Sequence, residues 1–154
     1  RVAVIGAGGW GYQHARAFSG RSDTELVAIA GRTQERTAKR AAEFKVPYYF
    51  SVPELLEKEK PDFVSLCLPA QHTFETTMAV IEAGIPLLSE KPIAYKLEEA
   101  RALVAKAEEK NLFYAIDFNQ RYSIPCLKAA WDGRYSPTGV SAMDGIPLTW
   151  IILI

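Results

Sequence analysis

A short apolar run at the start of the chain leads into glycines at the spacing G-x-G-x-x-G: Gly6, Gly8 and Gly11. In a turn that cradles a pyrophosphate, Gly6 allows the tight bend, Gly8 lets the backbone approach the phosphates, and Gly11 lets the following helix pack closely. The N-terminus of that helix adds free N–H groups and a partial positive charge. The pattern therefore predicts a dinucleotide site, which includes Gly9 and Trp10 within the loop.

The second strand-like run ends in Gly31-Arg32-Thr33, with no carboxylate at the turn. A site that prefers NAD places Asp or Glu there to bind the ribose hydroxyls. Arg32 instead offers a planar guanidinium that suits a 2′-phosphate and stacks on adenine. Thr33 adds a hydroxyl and Arg36 a second positive charge, so the turn favours NADP, with NAD as the alternative. An ordinary turn, in which Thr33 is an N-cap and Arg32 is merely exposed, also fits.

Ligands of a doubly wound sheet lie beyond the carboxyl ends of its strands. The fourth strand-like run ends at Leu68 and Pro69, and His72 begins the next helix. These three residues are therefore predicted to contact the cofactor. For His72, an imidazole that caps backbone groups at the helix start is an equal alternative.

The fifth run ends in Glu90-Lys91-Pro92, where Lys91 could hydrogen-bond a hydroxyl that is being oxidised and help to move its proton. The alternative is a solvated surface pair of little energetic value. After the sixth run, Asn119 and Arg121 could close the nicotinamide or substrate side of the cleft, or belong to a simple turn.

The elements that must position these residues alternate between strand-like and helix-like segments. Strands are predicted at 2–5, 25–30, 47–49, 63–68, 86–88 and 112–116. Helices are predicted at 12–18, 34–44, 73–83 and 97–110, with another that begins near a Ser51 cap. This alternation predicts an α/β fold, a doubly wound parallel-sheet Rossmann domain over residues 1–122. Residues 123–154 do not continue this alternation and are interpreted as the start of an incomplete second α+β domain.

Composition excludes several classes of protein. The chain has 18 Lys and Arg residues together and 18 Asp and Glu residues together. A net charge of zero does not favour binding to nucleic acid or to an anionic membrane. No apolar run approaches the ~20 residues that span a bilayer. The two cysteines are scattered and no metal-ligand spacing occurs, so we expect a cytoplasmic protein without a metal ion.

Together, four motifs resemble the glucose-fructose oxidoreductase, inositol dehydrogenase and MocA-like family of oxidoreductases. They are the glycine loop with His14 after it, Leu68-Pro69-Ala-Gln-His72, the Ala83-Gly84 turn that leads to Glu90-Lys91-Pro92, and Asn119-Gln-Arg121-Tyr122. The resemblance covers residues 1 to about 125. The Glu-Lys-Pro run after an Ala-Gly turn is its most specific part.

The resemblance implies a Rossmann domain followed by a second domain that holds substrate and often forms a homo-oligomer interface. It implies hydride transfer between NADP or NAD and a sugar, inositol or related polyol or dihydrodiol. Lys91 would be the active-site lysine, in contact with substrate and nicotinamide and often followed by a cis peptide bond, and Glu90 would lie near the nicotinamide ribose. Pro69 and His72 would lie beside the cofactor, and Arg121 near the cleft.

Two alternatives remain within the same family. One is a non-catalytic regulator or scaffold that binds NAD(P), although a cleft lysine at Lys91 would serve no purpose there. The other is glycoside cleavage through transient oxidation by a tightly held NAD, for which the phosphate selectivity of Arg32 would be of no use. Family members are longer, and the Asp and His pair of their substrate domain has no counterpart here. This chain alone is therefore expected to bind dinucleotide and to turn over poorly.

Overall fold

Strands and helices alternate within residues 1–118, the part of the chain that the computed structural model describes. The strands are β1 (Val2–Ile5), β2 (Leu26–Ala30), β3 (Tyr48–Tyr49), β4 (Phe63–Leu66), β5 (Leu87–Glu90) and β6 (Tyr114–Asp117). The α-helices are α1 (Gly9–Ser19), α2 (Gln34–Phe44), α3 (Val52–Glu59), α4 (Thr73–Glu82) and α5 (Leu97–Glu109), with a short 3₁₀ turn at Ala70–His72 before α4. The boundary predicted near residue 122 and the second domain predicted at 123–154 lie outside the described residues.

All six strands pair in parallel, in the order β3-β2-β1-β4-β5-β6. This is the doubly wound order, and it confirms the predicted fold class. The chain builds outward from β1 to β3, then returns to β4 on the other side of β1. Because the winding reverses between β1 and β4, the loops after these strands diverge and leave a crevice at the carboxyl edge of the sheet.

Apolar side chains cover both faces of the sheet, as a parallel sheet requires. On one face, Ile5 belongs to a cluster with Leu55 of α3 and with buried residues of α4 and α5. On the other face, Val4 packs with Ala15 of α1 and Ala41 of α2. Successive strand residues therefore face different helices, with α3, α4 and α5 on one side and α1 and α2 on the other.

Two helix ends follow the signals in the sequence. The Ser51 hydroxyl accepts a hydrogen bond from the Glu54 backbone N–H at 3.4 Å and caps α3. Gly84, just beyond α4, has a φ of +73°, a left-handed conformation that glycine adopts without steric cost. Among the residues described, no helix has both the length and the hydropathy needed to cross a bilayer.

Several element ends differ from the prediction. The sequence predicts strands at 86–88 and 112–116, but β5 and β6 reach Glu90 and Asp117. These two residues are aligned in the parallel ladder, so pairing between strands extends the sheet into polar residues of low strand propensity. Conversely, β4 ends at Leu66 rather than at position 68, and α1 begins at Gly9 rather than at position 12.

Candidate active site

Steric contacts explain two of the loop glycines. Gly6 has a φ of +128°, and a Cβ there would lie 2.2 Å from the backbone oxygen of Cys67. A Cβ on Gly11 would lie 1.6 Å from the backbone oxygen of Gly6. Both distances are far below van der Waals contact, so only glycine lets β1, β4 and α1 meet so closely here.

Gly8 and Gly9 face open space instead. A Cβ on either glycine would have no heavy atom within 4 Å apart from its chain neighbours and, for Gly9, the nearby backbone of α1 itself. The first turn of α1, which begins at Gly9, has no side-chain cap and no acidic residue. An anion above these glycines can therefore accept hydrogen bonds from backbone N–H groups and interact favourably with the helix dipole.

A cleft of about 350 Å³ opens over this loop at the carboxyl edge of the sheet. Most of the predicted contact residues line it: Gly6, Gly8, Gly9, Trp10, Arg32, Thr33, Arg36, Leu68, Pro69, Glu90 and Lys91. Four further residues of the lining, which sequence reasoning missed, are Ala7, Gly31, Thr37 and Cys67. The predicted residue Gly11 lies beneath the loop and not on the lining, while Asn119 and Arg121 fall outside the described residues.

At the β2 end of the cleft, Arg32, Thr33 and Arg36 are exposed. Arg36 Nη2 donates a hydrogen bond to the Thr33 hydroxyl at 3.0 Å. Thr33 occupies the N-cap position of α2, as predicted, but its hydroxyl makes no capping bond. Within residues 1–118 neither arginine has a carboxylate partner, so both guanidinium groups are available to an anionic ligand.

His72 does not line the cleft, but it contacts a residue that does. Its Nε2 lies 3.0 Å from Arg32 Nη1. Because a guanidinium only donates hydrogen bonds, His72 Nε2 is the acceptor in this contact. The alternative of a helix cap is wrong, since the His72 side chain makes no capping bond to α4. His72 instead connects the loops that follow β2 and β4.

At the β5 end, Glu90 and Lys91 both line the cleft but differ in burial. Glu90 is only 8% exposed, whereas Lys91 is exposed. No salt bridge among the described residues involves Lys91, so the surface-pair alternative is not what the structure contains. The peptide bond between Lys91 and Pro92 is cis, as the family resemblance implies.

Behind Glu90 lies a polar cluster that joins α1 to β4, β5 and β6. We call His14, Ser65, Glu90 and Asp117 the α1 cluster. His14 Nδ1 lies 2.7 Å from Ser65 Oγ. On the other side of the ring, His14 Nε2 lies 3.3 Å from Glu90 Oε1 and 3.4 Å from Asp117 Oδ2. Because Glu90 also lines the cleft, the cluster and the cleft share one carboxylate.

Cys67 lines the cleft, but its thiol is not poised to react. Burial raises the pKa of Cys67 to about 12, and the negative charge of Glu90 adds to that shift. The thiol therefore stays protonated at neutral pH. Cys67 acts here as a small, weakly polar part of the wall.

Comparison with known proteins links this cleft to a family of enzymes. Residues 1–118 match the family model described as an oxidoreductase family with an NAD-binding Rossmann fold. The chain is 33% identical over 126 residues to the D-glucoside 3-dehydrogenase of Escherichia coli (strain K12). This alignment covers 80% of this chain and 36% of that protein. The chain is 34% identical over 135 residues to the D-xylose 1-dehydrogenase (NADP(+)) of Hypocrea jecorina, covering 83% and 31% respectively.

A solved structure shows the same similarity. GenD2 from gentamicin A biosynthesis, in complex with NAD, aligns with a TM-score of 0.78 and 28% sequence identity over 83% of this chain and 37% of that one. The chain spans about a third of the length of the curated relatives it matches. Since the family model covers the whole described sheet and the loop that shapes its cleft, the chain belongs to the glucose-fructose oxidoreductase, inositol dehydrogenase and MocA-like oxidoreductase family, through its NAD-binding Rossmann domain.

Proposed function

We propose that the protein is a dehydrogenase that transfers a hydride between a nicotinamide cofactor and a sugar, an inositol, or a related polyol or dihydrodiol. The observation that carries this proposal is that Glu90 and Lys91 line the same cleft as the glycine loop. A dinucleotide with its pyrophosphate over that loop would have its reactive end within reach of residues at the end of β5. Dehydrogenases of a D-glucoside and of D-xylose among the similar proteins support a sugar-like substrate.

The cleft fits such a cofactor. Open space over Gly8 and Gly9, at an uncapped helix N-terminus, suits a pyrophosphate. The two exposed arginines of the β2 end, Arg32 and Arg36, suit a further phosphate or an adenosine. When bound, the nicotinamide supplies the hydride acceptor for oxidation or the donor for reduction.

Lys91 is the residue that we assign to the reacting oxygen. When a secondary alcohol is oxidised, its carbon loses a hydride and its hydroxyl loses a proton, which leaves a ketone. In its neutral form the amine of Lys91, which is exposed, can accept the proton of the hydroxyl; the ammonium that results donates a hydrogen bond to the reacting oxygen and stabilises its charge, and the proton then passes to solvent. In the reverse direction, the same group returns the proton.

We propose NADP as the preferred cofactor, with NAD as the alternative. The support is the set of cationic and hydroxyl groups at the β2 end, where Arg32, Thr33 and Arg36 line the cleft without a carboxylate among them. The similar proteins differ on this point, since the name of the H. jecorina enzyme carries NADP(+) and GenD2 was solved with NAD. The preference therefore rests on the residues of this chain.

The test uses the full-length protein with NADP⁺ or NAD⁺ and a panel of sugars, inositols and other polyols, and follows the reduced nicotinamide by absorbance. Lys91→Ala is expected to lower turnover by about a hundredfold and to weaken cofactor binding far less than that. Lys39→Ala, which removes an exposed lysine of α2 that is not on the lining, is the matched control. If the wild-type protein binds the cofactor but reduces it with no member of the panel, the proposed dehydrogenase function is wrong and the protein is a regulator or scaffold that binds NAD(P).

We further propose, on the family resemblance, a substrate domain that begins near residue 123 and a homo-oligomer in the cytoplasm. Sedimentation of the full-length protein measures its oligomeric state, and a monomer at all concentrations would contradict the proposed homo-oligomer.

A further inference from the structure

We infer that His14 is a positioning residue for Glu90: its imidazole holds the Glu90 carboxylate at the wall of the cleft and ties it to Asp117. The arrangement itself stands on the contacts of the α1 cluster. Only its consequence, an effect on cofactor binding, rests on the proposed function.

The hydrogen on the His14 ring can be placed by elimination. Ionised carboxylates only accept hydrogen bonds, so the nitrogen that faces them, Nε2, carries the hydrogen. Nε2 faces Glu90 Oε1 at 3.3 Å and Asp117 Oδ2 at 3.4 Å, although the contact with Glu90 Oε1 is not a hydrogen bond of normal geometry. Nε2 lies between two acceptors that would otherwise repel each other.

Ser65 fixes the orientation of the ring from the other side. Its hydroxyl lies 2.7 Å from His14 Nδ1, and a hydroxyl can either donate to a neutral imidazole or accept from an imidazolium. The contact therefore survives in both states of the ring. In both states it aims Nε2 at the two carboxylates.

Burial makes the contact decisive for Glu90. His14 and Glu90 are each 8% exposed, and Ser65 is fully buried. Glu90 Oε1 has no hydrogen bond of normal geometry within residues 1–118, and His14 is the only basic side chain that lies within 4.0 Å of the Glu90 carboxylate there. The attraction of His14 offsets part of the cost of burying the Glu90 carboxylate, so without His14 the Glu90 side chain would turn toward the water of the cleft. There its charge would oppose a bound dinucleotide.

A divalent cation is the competing explanation. His14 Nε2 and one oxygen each of Glu90 and Asp117 lie within 4.8 Å of one another, so these groups could serve as three ligands. The hydrogen bond to Ser65 and the position of Nε2 between the two carboxylates account for the geometry without an ion. Stoichiometric metal binding by these residues would overturn the inference.

The first experiment is a double-mutant cycle on cofactor affinity, measured by calorimetric titration with NADP⁺ and NAD⁺. His14→Asn and His14→Gln form a matched pair, because the shorter amide can reach Ser65 but not the carboxylates, whereas the longer one places an N–H near the position of Nε2. We expect His14→Asn to weaken binding about tenfold and His14→Gln to recover most of that loss. In a Glu90→Ala background, His14→Asn should add nothing.

A merely structural His14 would behave differently. Both variants would then lower the melting temperature without separating in affinity, or the effect of His14→Asn would be as large without Glu90 as with it. Either result overturns the inference, and both are measurable with variants that keep a polar side chain at this position.

The second experiment does not depend on cofactor binding. The chain has two histidines, so ¹⁵N NMR of the imidazole nitrogens can be assigned with a His72→Gln variant. We expect a protonated Nε2 on His14 whose chemical shift changes in Glu90→Ala. An unprotonated Nε2, or stoichiometric Zn²⁺ binding that His14→Asn abolishes, would overturn the inference. If the wild-type protein binds no dinucleotide, the proposed function fails while this measurement still decides the role of His14.

Discussion

At the β2 end of the cleft, Arg32 and Arg36 are exposed and have no carboxylate partner among the described residues, whereas at the β5 end Glu90 is buried against His14. The exposed groups lie on flexible stems with water around them, so a ligand can displace their present partners at little cost. The buried groups have no such freedom, because each lost contact leaves a polar atom without a partner. The two ends therefore differ in what a substitution should change.

This difference separates ligand selection from support of the fold. Substitutions at the β2 end are expected to change which dinucleotide binds, with little effect on the free energy of unfolding. Substitutions in the α1 cluster are expected to change stability and binding together. The glycine loop lies between the two ends. Within a few residues of it, some substitutions should change ligand binding and others should change stability.

The largest effect is expected for Gly11→Ala. Its Cβ would lie 1.6 Å from the backbone oxygen of Gly6, so α1 must move away from β1, at a cost of about 3 kcal/mol in stability. Gly8→Ala is the matched control, because a Cβ there meets no atom within 4 Å and the φ of −77° suits alanine. Urea unfolding should separate the two, while calorimetry should show that Gly8→Ala weakens dinucleotide binding. Wild-type stability for Gly11→Ala would refute the close packing.

The next effect tests the buried end. Ser65→Ala removes the partner of His14 Nδ1 and is expected to cost about 1–3 kcal/mol and to weaken cofactor binding. Ser89→Ala is its match, since Ser89 is equally buried but bonds to Tyr114 Oη at 3.2 Å, on the face of the sheet away from α1. It should cost stability alone. If Ser65→Ala leaves binding unchanged, the α1 cluster supports only the fold.

The exposed end is tested by Arg32→Asp. A charge-assisted bond to a 2′-phosphate would be lost, so NADP⁺ affinity should fall about 10- to 100-fold, and NAD⁺ affinity much less. Lys39→Asp makes the same change of charge on α2 away from the lining and should affect neither cofactor. Equal losses for both cofactors in Arg32→Asp would contradict the phosphate interpretation. Unfolding curves should coincide with wild type.

The sheet and the glycine loop were within reach of sequence reasoning because their signals are local. Apolar runs, helix-forming segments and the Ser51 cap each depend on a few neighbouring residues. The ends of β5 and β6 could not be predicted from local sequence. Glu90 and Asp117 extend these strands because they pair with each other, although they are far apart in the chain.

The α1 cluster shows what was missed at the site. The bond between His14 and Ser65 spans 51 residues, so no local pattern indicates it. The alternation of side chains along β4 is a signal that could have found Ser65. Its neighbours Val64 and Leu66 face α3, α4 and α5, so Ser65 must face α1. On α1, His14 lies three residues after the buried Gly11, a spacing that places both on the same inward face.

The smallest effect compares two N-cap hydroxyls. Thr33 occupies the N-cap of α2 without capping it and instead accepts from Arg36, whereas Ser51 caps α3. Thr33→Val should therefore leave unfolding unchanged and weaken NADP⁺ binding by about two- to tenfold, the value of one neutral hydrogen bond. Ser51→Ala should do the opposite, with a loss of about 1 kcal/mol in stability and unchanged binding. A stability loss in Thr33→Val would mean that its hydroxyl caps α2 in solution, and the β2 end would then serve the fold as well as the ligand.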